Sequence, residues 1–234
     1  ESAVHMTGLH GGLPGLGTVG PPPPLQGNHA MAARIHESLV NNFAEAAYSG
    51  MIVVEERLRA DLTDLFGSTP TWMEPSEDSL PWTITLAQRN PVTVIFADGG
   101  FSVTIRGRQY VRGDNSYPGM NVTADYKIEA SGDQPKAIRQ GGLKVYPPGF
   151  KPGSGEKLDP GQQVLRTLLE KRFENIFAAE MIPEPMVLSG TWEKAGQLEL
   201  TGWGTSNGWM TMTWKRAPQP EQPVDASQTE PAAE

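Results

Sequence analysis

Residues 204–208, Gly204-Thr205-Ser206-Asn207-Gly208, spell the G-x-S-x-G pattern in which serine hydrolases present their nucleophile. Chemistry at Ser206 would need a strand, a sharp turn and then a helix, so that the hydroxyl sits over a helix N-terminus and an oxyanion hole. The turn leads instead into WMTMTWK (209–215), whose period of two is that of a strand. Asn207-Gly208 is the favoured dipeptide of a type I′ hairpin turn, because both residues accept positive φ. In hydrolases with this elbow the histidine base comes after the serine, whereas the four histidines here stand at 5, 10, 29 and 36. Ser206 is expected in a hairpin turn, not as a nucleophile.

The other reactive-looking patterns have similarly plain explanations. The glycine-rich stretch before residue 160 departs from a P-loop, since Gly155 is followed by Glu156-Lys157-Leu158 and not by Lys and Ser/Thr. Pro147, Pro148, Pro152 and Pro160 remove backbone donors that a phosphate cradle needs, and Glu156 would repel the ligand. Arg112-Gly113-Asp114 spells an adhesion tripeptide, but a turn between strands accounts for Gly-Asp-Asn. Asn121-Val122-Thr123 is a glycosylation sequon in mid-strand. His29 and His36 lie seven apart without a carboxylate-rich partner set, so no metal site is expected. No cofactor is expected either. Arg106, Arg108, Asp125, Lys127 and Glu129 fall on polar sides of strands, where cross-strand ion pairing explains them.

Tryptophan is the distinctive feature. Four of the six, Trp192, Trp203, Trp209 and Trp214, crowd the end of the expected folded part, two of them flanking the Asn207-Gly208 turn. Exposed on a sheet, they would form a platform for a sugar or an apolar partner; buried, they would fill a modest core. These four are the candidate ligand-binding residues.

The elements that must carry them are set by periodicity. Gly and a four-proline run fill 1–27, a flexible linker in which a proline-motif ligand is conceivable, and 217–234 is an acidic, Pro-rich tail. One domain is expected over 28–216. A first helix is predicted from an N-cap at Asn28 to about Ser49, with Ile35, Leu39, Phe43, Ala46 and Ala47 as its apolar stripe. A second would bury Val54, Leu58, Leu62, Leu65 and Phe66 and end at Gly67. From Pro81 the period changes to two: Trp82/Ile84/Leu86, Val92/Val94/Phe96, Phe101/Val103/Ile105 and Met120 to Ile128 alternate apolar with polar, and a weaker strand covers about 136–146. Asp159, Pro160 and Gln162 open a third helix whose stripe is Leu165, Leu168, Leu169, Phe173, Ile176 and Phe177. Thr191–Lys194, Gln197–Trp203 and Trp209–Lys215 complete the strands. The fold class is α+β, a curved antiparallel sheet of six to eight strands with three helices, the long one packed on its apolar face.

Composition removes whole classes of function. A net charge of −8 disfavours a nucleic-acid partner, which needs a basic surface to displace counterions. Without cysteine there are no disulfides, thiolate metal sites or cysteine nucleophiles. No apolar run approaches the ~20 residues of a membrane span.

The stretches PWTITLAQRNPVTVIFADGGFSVTIRGRQY (81–110), YPGMNVTADYKIE (117–129) and YPPGFKPGSGEKLDPGQQVLRTLLEKRF (146–173) resemble an uncharacterised family of large bacterial exported proteins, over about 34–182. The resemblance implies an extracytoplasmic place and one domain of a larger protein; it carries over no catalytic residues. Together these observations favour a non-catalytic exported module that binds a protein partner or an apolar or sugar ligand. The alternatives are a hydrolase-like enzyme using carboxylates on the polar sheet face, and a structural or assembly domain without a ligand.

Overall fold

The computed structural model describes residues 20–25, 27–54, 82–129, 135–183, 185–187, 190, 193 and 196–217. In chain order its elements are β1 (Met31–His36), α1 (Glu37–Tyr48), β2 (Ile52–Val54), β3 (Trp82–Leu86), β4 (Val92–Ala97), β5 (Gly100–Arg112) and β6 (Asn115–Tyr117). They continue with β7 (Met120–Glu129), β8 (Lys136–Arg139), β9 (Lys144–Tyr146), α2 (Pro160–Ile176), β10 (Glu180–Met181), β11 (Met186–Val187), β12 (Gln197–Ser206) and β13 (Trp209–Arg216). Every strand pairing among them is antiparallel. The chain is thus an α+β fold dominated by antiparallel sheet.

The spine of the larger, nine-stranded sheet is β5, long enough to carry four neighbours. Its first half pairs with β4 and β7, its second with β3 and β6. Along β7 the side chains of Met120, Val122, Ala124, Tyr126 and Ile128 are buried while those between are not. That alternation sets one face against α2, which with its C-cap Phe177 contributes Leu165, Leu169, Phe173 and Phe177 to the same core. Burying a Leu or Phe stabilises by roughly 1.5–3 kcal/mol each, so this layer contributes strongly to the fold.

The start of α2 is set by its first four residues. The Asp159 carboxylate accepts from Gln162 N at 2.8 Å and the Gln162 side chain accepts from Asp159 N at 3.0 Å, which closes a capping box, with Pro160 in the first turn. At the other end Arg139 donates to Phe177 O at 2.6 Å and Tyr126 donates to Ala178 O at 3.1 Å, supplying partners that helix-end carbonyls lack.

The smaller sheet has the order β1-β13-β12-β11. Here the structure corrects the expected helix from Asn28: Met31–His36 is a strand, in register with Trp214 to Trp209, and α1 begins only at Glu37 with His36 as N-cap. Met-Ala-Ala-Arg-Ile favours a helix locally, but the free edge of β13 offers a full ladder of hydrogen bonds, and tertiary pairing overrides propensity. The expected stripe moves accordingly. Ile35 lies in β1, Leu39 and Phe43 are 39% and 62% exposed, and Ala44 with Val40 turns to the core.

The counts change too. Among the described residues there are two helices, not three, and strands fall into sheets of nine and four, not one of six to eight. The second expected helix lies outside the described residues except for Ile52–Val54, which is strand. The strand expected over 136–146 is broken into β8 and β9 around Gly141, whose φ of 71° turns the chain. The strand expected at 191–194 lies outside the described residues apart from Glu193.

Helix α1 covers the outer edge of β4 with polar side chains one turn apart. Glu37 Oε2 accepts from Phe96 N at 2.7 Å, Asn41 Oδ1 accepts from Val94 N at 2.7 Å while Asn41 Nδ2 donates to Val94 O at 2.9 Å, and Glu45 Oε2 accepts from Asn90 N at 2.5 Å. Asn41 therefore copies both bonds that a neighbouring strand would make, and the edge is closed without another strand. Replacing it leaves both Val94 backbone groups unmatched. Asn41→Leu is expected to cost about 2 kcal/mol in urea denaturation with little change in m-value.

Candidate binding face

The turn that spells a nucleophile elbow is a two-residue hairpin loop between β12 and β13. Asn207 and Gly208 have φ of 52° and 77°, both positive as a type I′ turn requires, and Ser206 pairs with Trp209 across it. A strand comes next and no helix, so no oxyanion hole forms over Ser206. His36 nevertheless reaches this turn. Its place on β1 opposite Trp209 sets the two rings edge to face at 5.0 Å, and its Nε2 lies 2.8 Å from where a side chain on Gly208 would begin. Its Nδ1 is committed to Ser38, at 2.8 Å from the hydroxyl and 3.2 Å from the backbone N–H. His36 therefore caps α1.

Side-chain parity on the hairpin sorts the tryptophans. Trp203, opposite Met212, and Trp214, opposite Leu200, point inward. Trp203 stacks on Phe101 with centroids 6.0 Å apart, and Trp214 is buried with Leu198 and Leu200. Trp209 has the opposite parity and stands on the outer face. Trp192 lies outside the described residues. The four candidates thus do not form one platform; Trp209 alone of the three described serves the outer face.

That face is otherwise built from small residues. The outward positions of β12 are Gly202, Gly204 and Ser206, and those beside them on β13 are Thr213 and Thr211. They floor an open cavity of about 360 Å³ that is also lined by Pro23, Pro24 and Leu25, from the stretch whose composition reads as linker. Trp209 Nε1 donates to Gly20 O at 3.0 Å, and Arg34 Nη1 donates to Pro23 O at 3.4 Å. The hydroxyl oxygen of Thr211, on the cavity floor, is buried without a hydrogen-bond partner. The proline run and the Gly-Gly-Ser alternation are both plain in the sequence, but nothing local reveals that one lies across the other. Arg34 was hidden inside the expected helix.

The polar side of the larger sheet offers different chemistry. Asp125 accepts from Ser102 at 2.6 Å and pairs with Lys144 at 2.5 Å, a partner on β9 and not the Lys127 of its own strand. Partial burial raises the Asp125 pKa, but hydrogen bonds from Lys144 and Ser102 and the charge of Lys144 outweigh it and hold the carboxyl below its ordinary range. It is a stabilised carboxylate, the reverse of a proton donor. Arg106 and Arg108 line a wider open cleft of about 740 Å³, where Arg106 is tied to Asn90 O and Thr93 Oγ1 at 2.9 and 2.7 Å. Among the described residues no group of three or more His, Asp or Glu is arranged to hold a metal ion. The glycine-rich stretch before α2 is an exposed connection, and Gly113-Asp114 is the turn joining β5 to β6.

No protein-family model matches this chain, and no curated protein matches it.

Because the folded-state pKa of Asp125 is depressed, its ion pair contributes stability that is present above the unfolded value and lost as pH falls through the folded one. The stability gap between the wild type and Asp125→Asn is expected to be constant above about pH 5 and to shrink steadily below about pH 4, measured by urea titration at each pH.

Proposed function

We propose that this chain is a non-catalytic exported module that binds a protein partner across the outer face of β1, β13 and β12. One observation carries the reading: an extended segment of the chain already spans that face, with the Trp209 indole donating to the Gly20 carbonyl. An open cavity floored by Gly, Ser and Thr, with side-chain donors from Trp209 and Arg34 on the same face, suits a peptide backbone, whose carbonyls need donors and whose width needs clearance. A sugar site would favour several aromatic faces in one plane, and here Trp203 and Trp214 turn inward. The enzyme alternative loses support because its best-placed carboxylate, Asp125, is held by Lys144. Export is supported by the family resemblance of 34–182. No helix among the described residues is long and apolar enough to cross a membrane.

Biolayer interferometry of the full chain against immobilised extended peptides and oligosaccharides tests the reading. Peptides should bind in the micromolar to millimolar range, with affinity lowered about tenfold or more by Trp209→Ala and unaltered by Glu199→Ala on the exposed flank of β12. Retention of oligosaccharides with no peptide bound would move the site to a sugar ligand.

A further inference from the structure

We propose that the outer face of β1, β13 and β12 is a receptor for a left-handed polyproline II segment, and that Gly20–Leu25 is seated on it in cis, displaced when a proline-rich segment of a partner binds. The inference rests on the partner-binding reading above and names the chemistry of the partner.

Sequence makes the first argument. In Gly20-Pro21-Pro22-Pro23-Pro24-Leu25 each proline ring fixes φ, and each residue that precedes a proline is kept out of the helical region, so the run is held in polyproline II. Such a chain has no internal hydrogen bonds, and prolines bring no N–H. It can be recognised only through its carbonyls, by groups that donate. Trp indole and Arg guanidinium are donors that cannot accept, and these are the two groups the face supplies.

Spacing makes the second. The carbonyls taken are those of Gly20 and Pro23, three residues apart and therefore on one edge of a three-residue-per-turn helix, separated by about 9 Å. Arg34 pairs with Thr211 on the neighbouring strand, so the two donors stand two residues along and one strand across from each other, about 8 Å. The sheet reproduces the repeat of the ligand. Pro22, Pro23 and Leu25 are half-buried, while Pro21 and Pro24 stay exposed.

Gly204 makes the third. Its φ is not left-handed, and a Cβ there would meet no atom within 4 Å, so neither backbone conformation nor core packing calls for glycine. A strand glycine normally weakens the strand. The space over it belongs to the cavity of about 360 Å³ that the cis segment leaves open. The unmatched Thr211 hydroxyl on the floor of that cavity offers a further hydrogen bond that the cis segment does not use, so a better-fitted segment has something to gain by replacing it.

The test is a pair of full-length chains observed through the indole N–H resonance of Trp209, assigned with Trp209→Phe. One is wild type; the other carries Pro21→Ser, Pro22→Ser, Pro23→Ser and Pro24→Ser. The quadruple substitution should shift the Trp209 resonance and leave those of Trp203 and Trp214 in place, which also reports that the fold is intact. Added peptide GPPPPLQ should return the resonance toward its wild-type position, and GSSSSLQ should not. The wild type should need about tenfold more peptide, because a tethered segment competes at an effective concentration in the millimolar range. Gly204→Leu in the quadruple background should abolish the response to GPPPPLQ with the Trp203 and Trp214 resonances unmoved. An unshifted Trp209 resonance in the quadruple variant, or equal binding of GSSSSLQ, would overturn the proposal. If extended peptides without proline then bind and are lost with Gly204→Leu, the broader partner-binding reading stands alone; if no peptide binds, both fall.

Discussion

Two hairpin turns and the start of a helix meet at one point, and the relation between the two sheets depends on how their backbone groups are matched there. Gly208 N donates to Phe96 O at 3.2 Å, Gly99 N donates to Thr205 O at 3.0 Å, and Glu37 N donates to Gly208 O at 2.9 Å. Inside this knot the buried Thr205 hydroxyl donates to Gly100 O at 2.8 Å. The turn of the β12–β13 hairpin is thereby fixed to the turn of the β4–β5 hairpin, and Glu37 at the start of α1 is fixed to both, through its N–H to Gly208 O and its carboxylate to Phe96 N. Hairpin ends and helix starts are where backbone polar groups lack partners, and burying them unmatched would cost about 1–3 kcal/mol each. Here each orphan satisfies another.

That junction dictates the rest of the layout. Once Glu37 is anchored on Gly208, α1 can run only along the open edge of β4, where Glu37, Asn41 and Glu45 act as a ladder of side-chain hydrogen bonds. Once Thr205 is anchored on Gly100, the inward face of the smaller sheet is committed to the core, with Trp203 on Phe101 and Phe101 on Tyr126 at 5.0 Å. The outward face is then whatever has the opposite parity. Its composition of Gly202, Gly204, Ser206, Thr211 and Thr213 makes a shallow trough, because outward residues with little volume leave the backbone nearly bare.

Legibility in the sequence depended on whether the determining contacts were local. The capping box at Asp159 and Gln162, the alternation of β7 and the Asn207-Gly208 turn are settled within a few residues, and each was legible. Met31–His36 was not, since its neighbour β13 is distant in sequence and its own residues prefer a helix. The tryptophans fall between. A two-residue turn fixes the pairing of Ser206 with Trp209, and strand alternation then assigns Trp203 and Trp214 to one face and Trp209 to the other. Their clustering along the chain concealed a division that parity alone contains.

The G-x-S-x-G spelling illustrates why order along a chain is a poor guide to what meets what. Histidines placed only before the serine argue, in sequence, that Ser206 has no base, yet β1 brings His36 to the very turn beside it. What withholds catalysis is local geometry. The imidazole Nδ1 is taken by Ser38, the chain after the turn enters a strand, and Glu37 N, the nearby donor that an anion hole would require, is bonded to Gly208 O. The same alternation that denies Ser206 a nucleophile's setting puts it in line with Gly202 and Gly204 on the outer face. A pattern of small residues can expose a hydroxyl to a substrate, or it can clear a path for another chain. On β12, residues Pro23 to Leu25 lie across the cavity from that row.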